Sequence, residues 1–298
     1  MKILIIGHSV EDHIASREQI TKINPGGIFY STAGMIYTKE KDDEIFLATA
    51  IEKNNYYLFE EVFSQTDLSL SKHVEKIPKV HLVVSEGQTR HEKYENITDK
   101  LSIDFSSLSQ FDGILINMIT GFDISLEDIL MIRKSYSGLI YIDMHSLCRG
   151  VGIGFNRPFR KIPNIDKWLS CVDIVQVNDL EIYTLSTLKD EMEIANEVMS
   201  YGVKYFLITK GEFGVTVYYK DESAIKNIFL PAIKIETKNK VGCGDVFGSV
   251  FFYSLLKFGE LNRSLNLANT AAGLVASYSN IEKIKNLKKD VELRLIQK

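Results

Sequence analysis

Proline and cysteine are scarce: five and three residues in a chain of 298. So few prolines, with no Pro/Gly-rich or low-complexity tract, argue against a flexible tether between two domains. Cys148, Cys171 and Cys243 show no C-x-x-C spacing, so neither a disulfide framework nor a zinc site is expected, and the set suits a reducing compartment. Positive charge is not in excess. Lys+Arg is 35 against Asp+Glu 39, a net charge of −4, which argues against a nucleic-acid binder. One basic run, Lys283 to Lys289, is broken by Ile284, Asn286 and Leu287 and reads as the solvated face of a C-terminal helix. No run approaches the ~20 apolar residues of a membrane span. The opening MKILIIGHS is too short an apolar run for a signal peptide, so a cytoplasmic location is expected.

What is present is an ordinary globular composition, 45% hydrophobic and 25% charged. Nearly continuous runs rich in Ile, Leu, Val and Tyr predict buried strands at Lys2–Ile6, Ile45–Ala50, Gly113–Met118, Leu139–Asp143, Asp173–Val177 and Tyr205–Thr209. Helical patterns fall at Ser125–Tyr136, Glu191–Tyr201 and Asn262–Ser279. This alternation predicts a parallel α/β sheet with right-handed crossovers. Two regions break the rhythm. Val80–Asp99 reads as a hairpin or small β-lid, and Phe213–Leu230 as two strands around a turn at Lys220–Ser223.

Several constellations carry chemistry. Gly242-Cys243-Gly244-Asp245 precedes VFGSVFFYSLLKFG, which is apolar nearly all round and reads as a buried helix. Glycines before a helix let an anion reach the unpaired first-turn amides, and Asp245 is placed to take a proton from an attacking hydroxyl. The plain alternative is a glycine turn with a capping Asp. Asn178 and Glu181 follow a strand at i, i+3 spacing. They suit either a water-coordinated Mg²⁺ or a capping box. Thr209-Lys210-Gly211-Glu212-Phe213-Gly214 follows another strand, where nucleotides bind in open α/β sheets, unless it is a simple turn. Asp12 and Gly26-Gly27 suit a polyhydroxy substrate, with a solvated loop acid as the alternative for Asp12. His145 reads as a structural histidine, and the six histidines show no metal spacing.

In this order the motifs resemble the PfkB/ribokinase family of carbohydrate and nucleoside kinases, from about Ile5 to Ser279. The C-terminal signature D-T-x-G-A-G-D appears as Asn239-Lys240-Val241-Gly242-Cys243-Gly244-Asp245, N-x-x-E as Asn178–Glu181, and T-x-G-x-x-G as Thr209–Gly214. The glycine pair is Gly26-Gly27, and Leu267–Ala272 resembles the A-N-A-A segment. The resemblance implies a single ribokinase-like domain over 1–298. Its fold would be a three-layer α/β/α sandwich with a mostly parallel sheet and a small β-lid built from roughly 10–22 and 80–100. Asp245 would be the catalytic base, and the amides of Gly242, Cys243 and Gly244 the anion hole. Thr209, Gly211, Gly214 and Asn269 would bind ATP. Asn178 and Glu181 would organise Mg²⁺ through water. Asp12, Gly26, Gly27, Ser31 and Asn239 would face a small hydroxyl substrate. The resemblance leaves the chain a monomer or a homodimer.

Four positions depart from the family pattern. Asn239 replaces an Asp and loses its charge. Lys240 replaces a Thr, adding a cation near the phosphates or pointing to solvent. Cys243 replaces an Ala and reads as a small packing residue, the other reading being a helix-N-terminal thiol of lowered pKa. Ser31 stands where sugar kinases carry Asn. The expected activity is ATP-dependent phosphorylation of a sugar, polyol or nucleoside. The alternatives are a pyridoxal or hydroxymethylpyrimidine-type kinase, which Phe29 and Tyr30 would suit, and a nucleotide- or sugar-binding regulator without catalysis.

Overall fold

The computed structural model describes residues 1–15, 21–83, 91–97, 99–222 and 224–296. The expected lid segments 10–22 and 80–100 and the turn at 220–223 therefore lie partly outside the described residues, at 16–20, 84–90, 98 and 223.

Eight strands form the main sheet. In spatial order they are β14 (Ala224–Leu230), β13 (Val215–Asp221), β12 (Tyr205–Thr209), β11 (Ile174–Asn178), β10 (Leu139–Asp143), β9 (Gly113–Asn117), β1 (Lys2–Ile6) and β4 (Glu44–Ala48). The six from β12 to β4 are parallel, and β13 and β14 add an antiparallel edge. All five residues of β9 are buried, so both sheet faces are covered, which is why these runs read as continuous rather than alternating. The covering helices include α1 (Phe29–Ile36), α3 (Leu126–Ser135), α6 (Glu191–Ser200), α7 (Cys243–Phe258) and α8 (Leu261–Ser277). Shorter helices are α2 (Glu60–Phe63), α4 (Ile165–Leu169) and α5 (Ile182–Leu185), and α9 (Leu287–Ile296) ends the described chain. No helix among the described residues is long and apolar enough to cross a membrane.

A second sheet joins β3 (Thr21–Gly27), β2 (Ser9–Ala15), β7 (Lys79–Val83) and β8 (His91–Glu95). Its central pair, β2 and β7, is parallel and the outer pairs are antiparallel. Asp12 therefore lies on a strand rather than in a loop.

Three expectations need correction. The run Ile45–Ala50 is two strands, because the Thr49 carbonyl accepts from Lys72 N and its hydroxyl from Ser9 N. The chain turns out of the main sheet there, and β5 (Ala50–Glu52) pairs with β6 (Lys72–Val74) instead. Phe213 belongs to a 3₁₀ turn, Gly211–Phe213, not to the strand. The basic run begins in a 3₁₀ segment, Ile281–Asn286, and becomes α-helical only at Leu287.

Two contacts fix α7, the helix that opens on Gly242. Gly34 of α1 lies so near it that a Cβ would meet Ser249 Oγ at 2.4 Å. At the far end, Tyr253 Oη and Lys257 Nζ donate to the buried carboxylate of Asp43 at 2.7 and 3.0 Å. Burial pushes the Asp43 carboxyl up, but the Met1 ammonium at 2.6 Å, Tyr253 and Lys257 together bring it from 3.8 down to about 2. A depressed carboxyl stabilises the fold above its unfolded pKa and loses that contribution as the pH falls through its folded one. Asp43→Asn is expected to cost about 2 kcal/mol at neutral pH. Urea unfolding at stepped pH should show the gap to wild type closing between about pH 4 and pH 2. A pH-independent gap would rule out this ionic contribution.

Candidate active site

The site lies at the carboxyl ends of the parallel strands. The chain runs from β1 to β4 on one side and later places β9 on the other, so strand order reverses at β1, the usual crevice position in open sheets. The start of α7 sits over this crevice.

Gly242 begins α7 in the left-handed region, with φ +78°, and a Cβ there would lie 2.2 Å from the Tyr30 ring. Only glycine fits both demands. The first helical bond runs from Val246 N to Gly242 O. The amides of Cys243, Gly244 and Asp245 thus precede the hydrogen-bonded ladder, without partners among the described residues. A Cβ on Gly244 would meet nothing nearer than Gln176 Nε2 at 3.9 Å. Protein packing does not demand glycine there; its absent side chain leaves the amides open to the groove.

Asp245 is half-buried one residue further on. Asn117 Nδ2, at the end of β9, donates to its Oδ1 at 2.6 Å. Beneath the helix start, Tyr141 Oη donates to Gln176 Oε1, and Gln176 Nε2 donates to Asp143 Oδ2 at 2.8 Å and to Gly244 O at 3.2 Å. Burial raises the Asp143 carboxyl to about 8; His145 opposes this, and the negative charges of Glu181 and Asp245 add to it. The crevice is therefore crowded with carboxyls, and one of them holds its proton at neutral pH.

Asn178 and Glu181 form the reciprocal cap that was one of their two readings. Asn178 Oδ1 accepts from the Leu180 and Glu181 amides, and Glu181 Oε2 accepts from Asn178 N. Both residues still line the larger cavity, and Glu181 Oε1 lies 3.8 Å from His145 Nδ1. Because three of the four contacts are spent on backbone, this pair fits an ion held through water and not a direct cage. Among the described residues no three acidic, His or Cys side chains are grouped to ligate a metal.

Two cavities meet at Gly242, His145 and Asp245. The larger, about 580 Å³, falls within the usual range of ligand pockets. Thr209, Gly211, Gly214 and Asn269 all line it, with the small residues Ala272, Gly273 and Ala276 of α8 opposite. Gly214 has φ +117°, and a Cβ would strike Leu230 O at 2.1 Å. Asn269 Nδ2 donates to Pro231 O, which ties α8 to the segment after β14. Lys240 is on the rim, largely exposed, 3.7 Å from Glu212. The smaller cavity, about 50 Å³, lies under the second sheet, lined by Asp12, Gly27, Tyr30, Tyr94, Ile119 and other residues. Gly26 does not line it. A Cβ there would fall 2.4 Å from the Asp12 carboxyl, so this glycine makes room for Asp12.

Two expected substrate residues lie elsewhere. Ser31 is buried on α1 and accepts from Asn117 Nδ2 at 3.0 Å, behind Asp245 rather than in a cavity. Asn239 Oδ1 accepts from Val241 N and its backbone N–H donates to Ala276 O, closing its own turn outside both cavities. Two residues escaped the sequence reading. His145, read as structural, lines both cavities. Asn117 is a polar residue in the buried run ILINMI, a signal visible in the sequence but without a partner to explain it.

The fold and site define an α/β protein of the ribokinase fold. Residues 154–285 match the sequence model of the pfkB family carbohydrate kinases, which bears out the resemblance read from the motifs. Ribokinase from Thermotoga maritima superposes with a TM-score of 0.75 at 17% identity, with 99% of each chain covered. Ribokinase from Arabidopsis thaliana, complexed with ribose and ATP, gives 0.75 at 14% identity over 100% of this chain and 98% of that one. A pyrophosphate-dependent kinase in the ribokinase family, complexed with a pyrophosphate analogue and myo-inositol, gives 0.79 at 14% identity over 98% and 99%. Likeness at such identities establishes the fold. No curated protein matches the chain in sequence.

Cys243 tests the electrostatics of the helix start. Burial pushes its thiol up to about 12, and the Asp245 charge adds to this, outweighing Lys240. The reading of a lowered pKa is therefore corrected. At pH 7.5 fewer than about one in ten thousand such thiols are ionised. Iodoacetamide should leave Cys243 unlabelled in the folded protein, by mass spectrometry, over times that fully label the unfolded chain. Rapid native labelling at Cys243 would contradict this.

Proposed function

We propose that the protein is an ATP-dependent kinase that phosphorylates a hydroxyl of a sugar, polyol or nucleoside. The observation that carries this is the meeting of two cavities at one carboxylate, Asp245, directly beside unpartnered amides at the start of α7. A phosphoryl transferase needs that arrangement. The nucleotide lies in one cavity, the acceptor in the other, and the transferred group passes over donors that stabilise its charge. Sequence agreement with the carbohydrate kinase family over 154–285 supports the same reading.

In this mechanism the larger cavity holds ATP, with Thr209, Gly211 and Gly214 along it and Asn269 on the α8 side. The acceptor sits between Asp12, Gly27 and Asp245, under the second sheet acting as a lid. Its hydroxyl oxygen attacks the γ-phosphorus as the bond to the ADP oxygen breaks. The hydroxyl proton passes to Asp245, and the amides of Cys243 and Gly244 face the phosphoryl oxygens. Asn178 and Glu181 would hold Mg²⁺ through water. When bound, the ion neutralises charge on the phosphates. That matters in a crevice carrying Glu181 and Asp245.

An ADP-release assay over sugars, polyols, nucleosides and vitamin alcohols identifies the acceptor. Asp245→Asn is expected to lower turnover by about 10²–10⁴-fold while nucleotide affinity stays within a few-fold. Wild-type turnover in that variant would remove Asp245 from the role of base. Glu181→Gln is expected to raise the Mg²⁺ concentration needed for half-maximal rate. An unchanged Mg²⁺ profile would dismiss the water-held ion at that motif.

A further inference from the structure

We infer that Asn117 is a positioning residue that holds Asp245 Oδ1 and leaves Oδ2 as the oxygen that receives the acceptor's proton; this rests on the kinase reading above. Asn117 closes β9, the strand beside the point where strand order reverses, and its side chain is 1% exposed. Its Nδ2 makes two contacts, donating to Asp245 Oδ1 at 2.6 Å and to Ser31 Oγ at 3.0 Å. Asp245 has no other hydrogen bond through its side chain among the described residues. Oδ2 is therefore the free oxygen, on a residue that lines both cavities.

The orientation of the amide is set by chemistry. Reversing it would give the Asn117 oxygen a donor in the Ser31 hydroxyl, but would bring two oxygens to 2.6 Å at Asp245. As oriented, Asn117 Oδ1 is buried with no hydrogen-bond partner among the described residues. A buried amide that leaves its own oxygen unsatisfied while donating to a carboxylate is a site-directed compromise. The donor satisfies Oδ1 and leaves Oδ2 turned to the cavities. It also stops rotation of the carboxyl about its bond, because Asn117 is fixed by β9 on one side and by Ser31 of α1 on the other. The same α1 carries Tyr30, which packs on Gly242 and lines the acceptor cavity. The seat of the base and the wall of the acceptor cavity thus share one support. Ser31 lies behind the base as part of that support, not at the substrate.

Two readouts test this. The first needs no acceptor: ¹H–¹⁵N spectra of the Asn117 side-chain amide. One amide proton should be shifted downfield and slow to exchange, and both features should vanish in Asp245→Ala. An Asn117 amide signal identical in wild type and Asp245→Ala would overturn the inference, whether or not a substrate is known. The second readout uses the acceptor found by ADP release. Asn117→Leu should lower kcat by about 10–100-fold, the loss expected for a hydrogen bond to a charged group, with both KM values within about twofold. Asn117→Asp, which keeps the shape and replaces the donor with an anion, should lose at least as much at neutral pH. Unchanged kcat in both folded variants would refute the role of Asn117 while leaving the kinase reading in place. An inactive wild type with the expected amide signal would fail the kinase reading alone.

Discussion

The arrangement of the crevice depends on how α7 begins. The residue that precedes it, Gly242, is in the left-handed region with an aromatic ring against its α-carbon and admits no side chain. That constraint aims three unpartnered amides at the space above the strand ends. A helix start without a side-chain cap leaves donors that favour an anion from solvent or ligand. The rest of α7 is held by deep burial, by close packing on α1 at Gly34 and by the Asp43 anchor at its far end. A rigid helix keeps the geometry of its first turn, and a rate that depends on positioning depends on that rigidity.

Against these donors stands a concentration of carboxyls. Asp143, Glu181 and Asp245 share the region, and among the described residues no guanidinium or ammonium group forms an ion pair with Asp245 or Asp143. The fold manages this in three ways. Asp143 rises to about 8 and is neutralised by its own proton. Glu181 gives one oxygen to the Asn178 amide, and His145 stands near the other. Asp245 is held by a neutral amide donor rather than a cation. That donor occupies one carboxylate oxygen and leaves the other facing the cavities. The remaining negative charge is what a nucleotide-bound Mg²⁺ would offset in the proposed reaction.

Much of the sheet was legible because parallel strands buried on both faces must be apolar along their whole length. Lys2–Ile6, Leu139–Asp143 and Tyr205–Thr209 fall where their runs of Ile, Leu and Tyr put them. The break at Thr49 was not legible, since it depends on Lys72 and Ser9, which come from other parts of the chain. Thr209, Gly211 and Gly214 line the larger cavity because they follow a strand whose carboxyl end opens on it, although a simple turn read equally well from sequence. Ser31 and Asn239 were misplaced for opposite reasons. Ser31 turns inward to a residue 86 positions away, and Asn239 bonds to an amide two residues along. Asn117 and Asp245, 128 residues apart, meet only when β9 and α7 are packed together, and no local pattern encodes that.

In the proposed reaction a phosphoryl group moves from nucleotide to a carbon-bound hydroxyl at Asp245. ³¹P NMR of the protein with ATP, Mg²⁺ and a pool of hydroxyl compounds tests it most directly. A phosphomonoester resonance should grow in step with ADP, and it should be absent with Asp245→Asn. ADP accompanied only by inorganic phosphate, at the same rate in wild type and variant, would contradict the account.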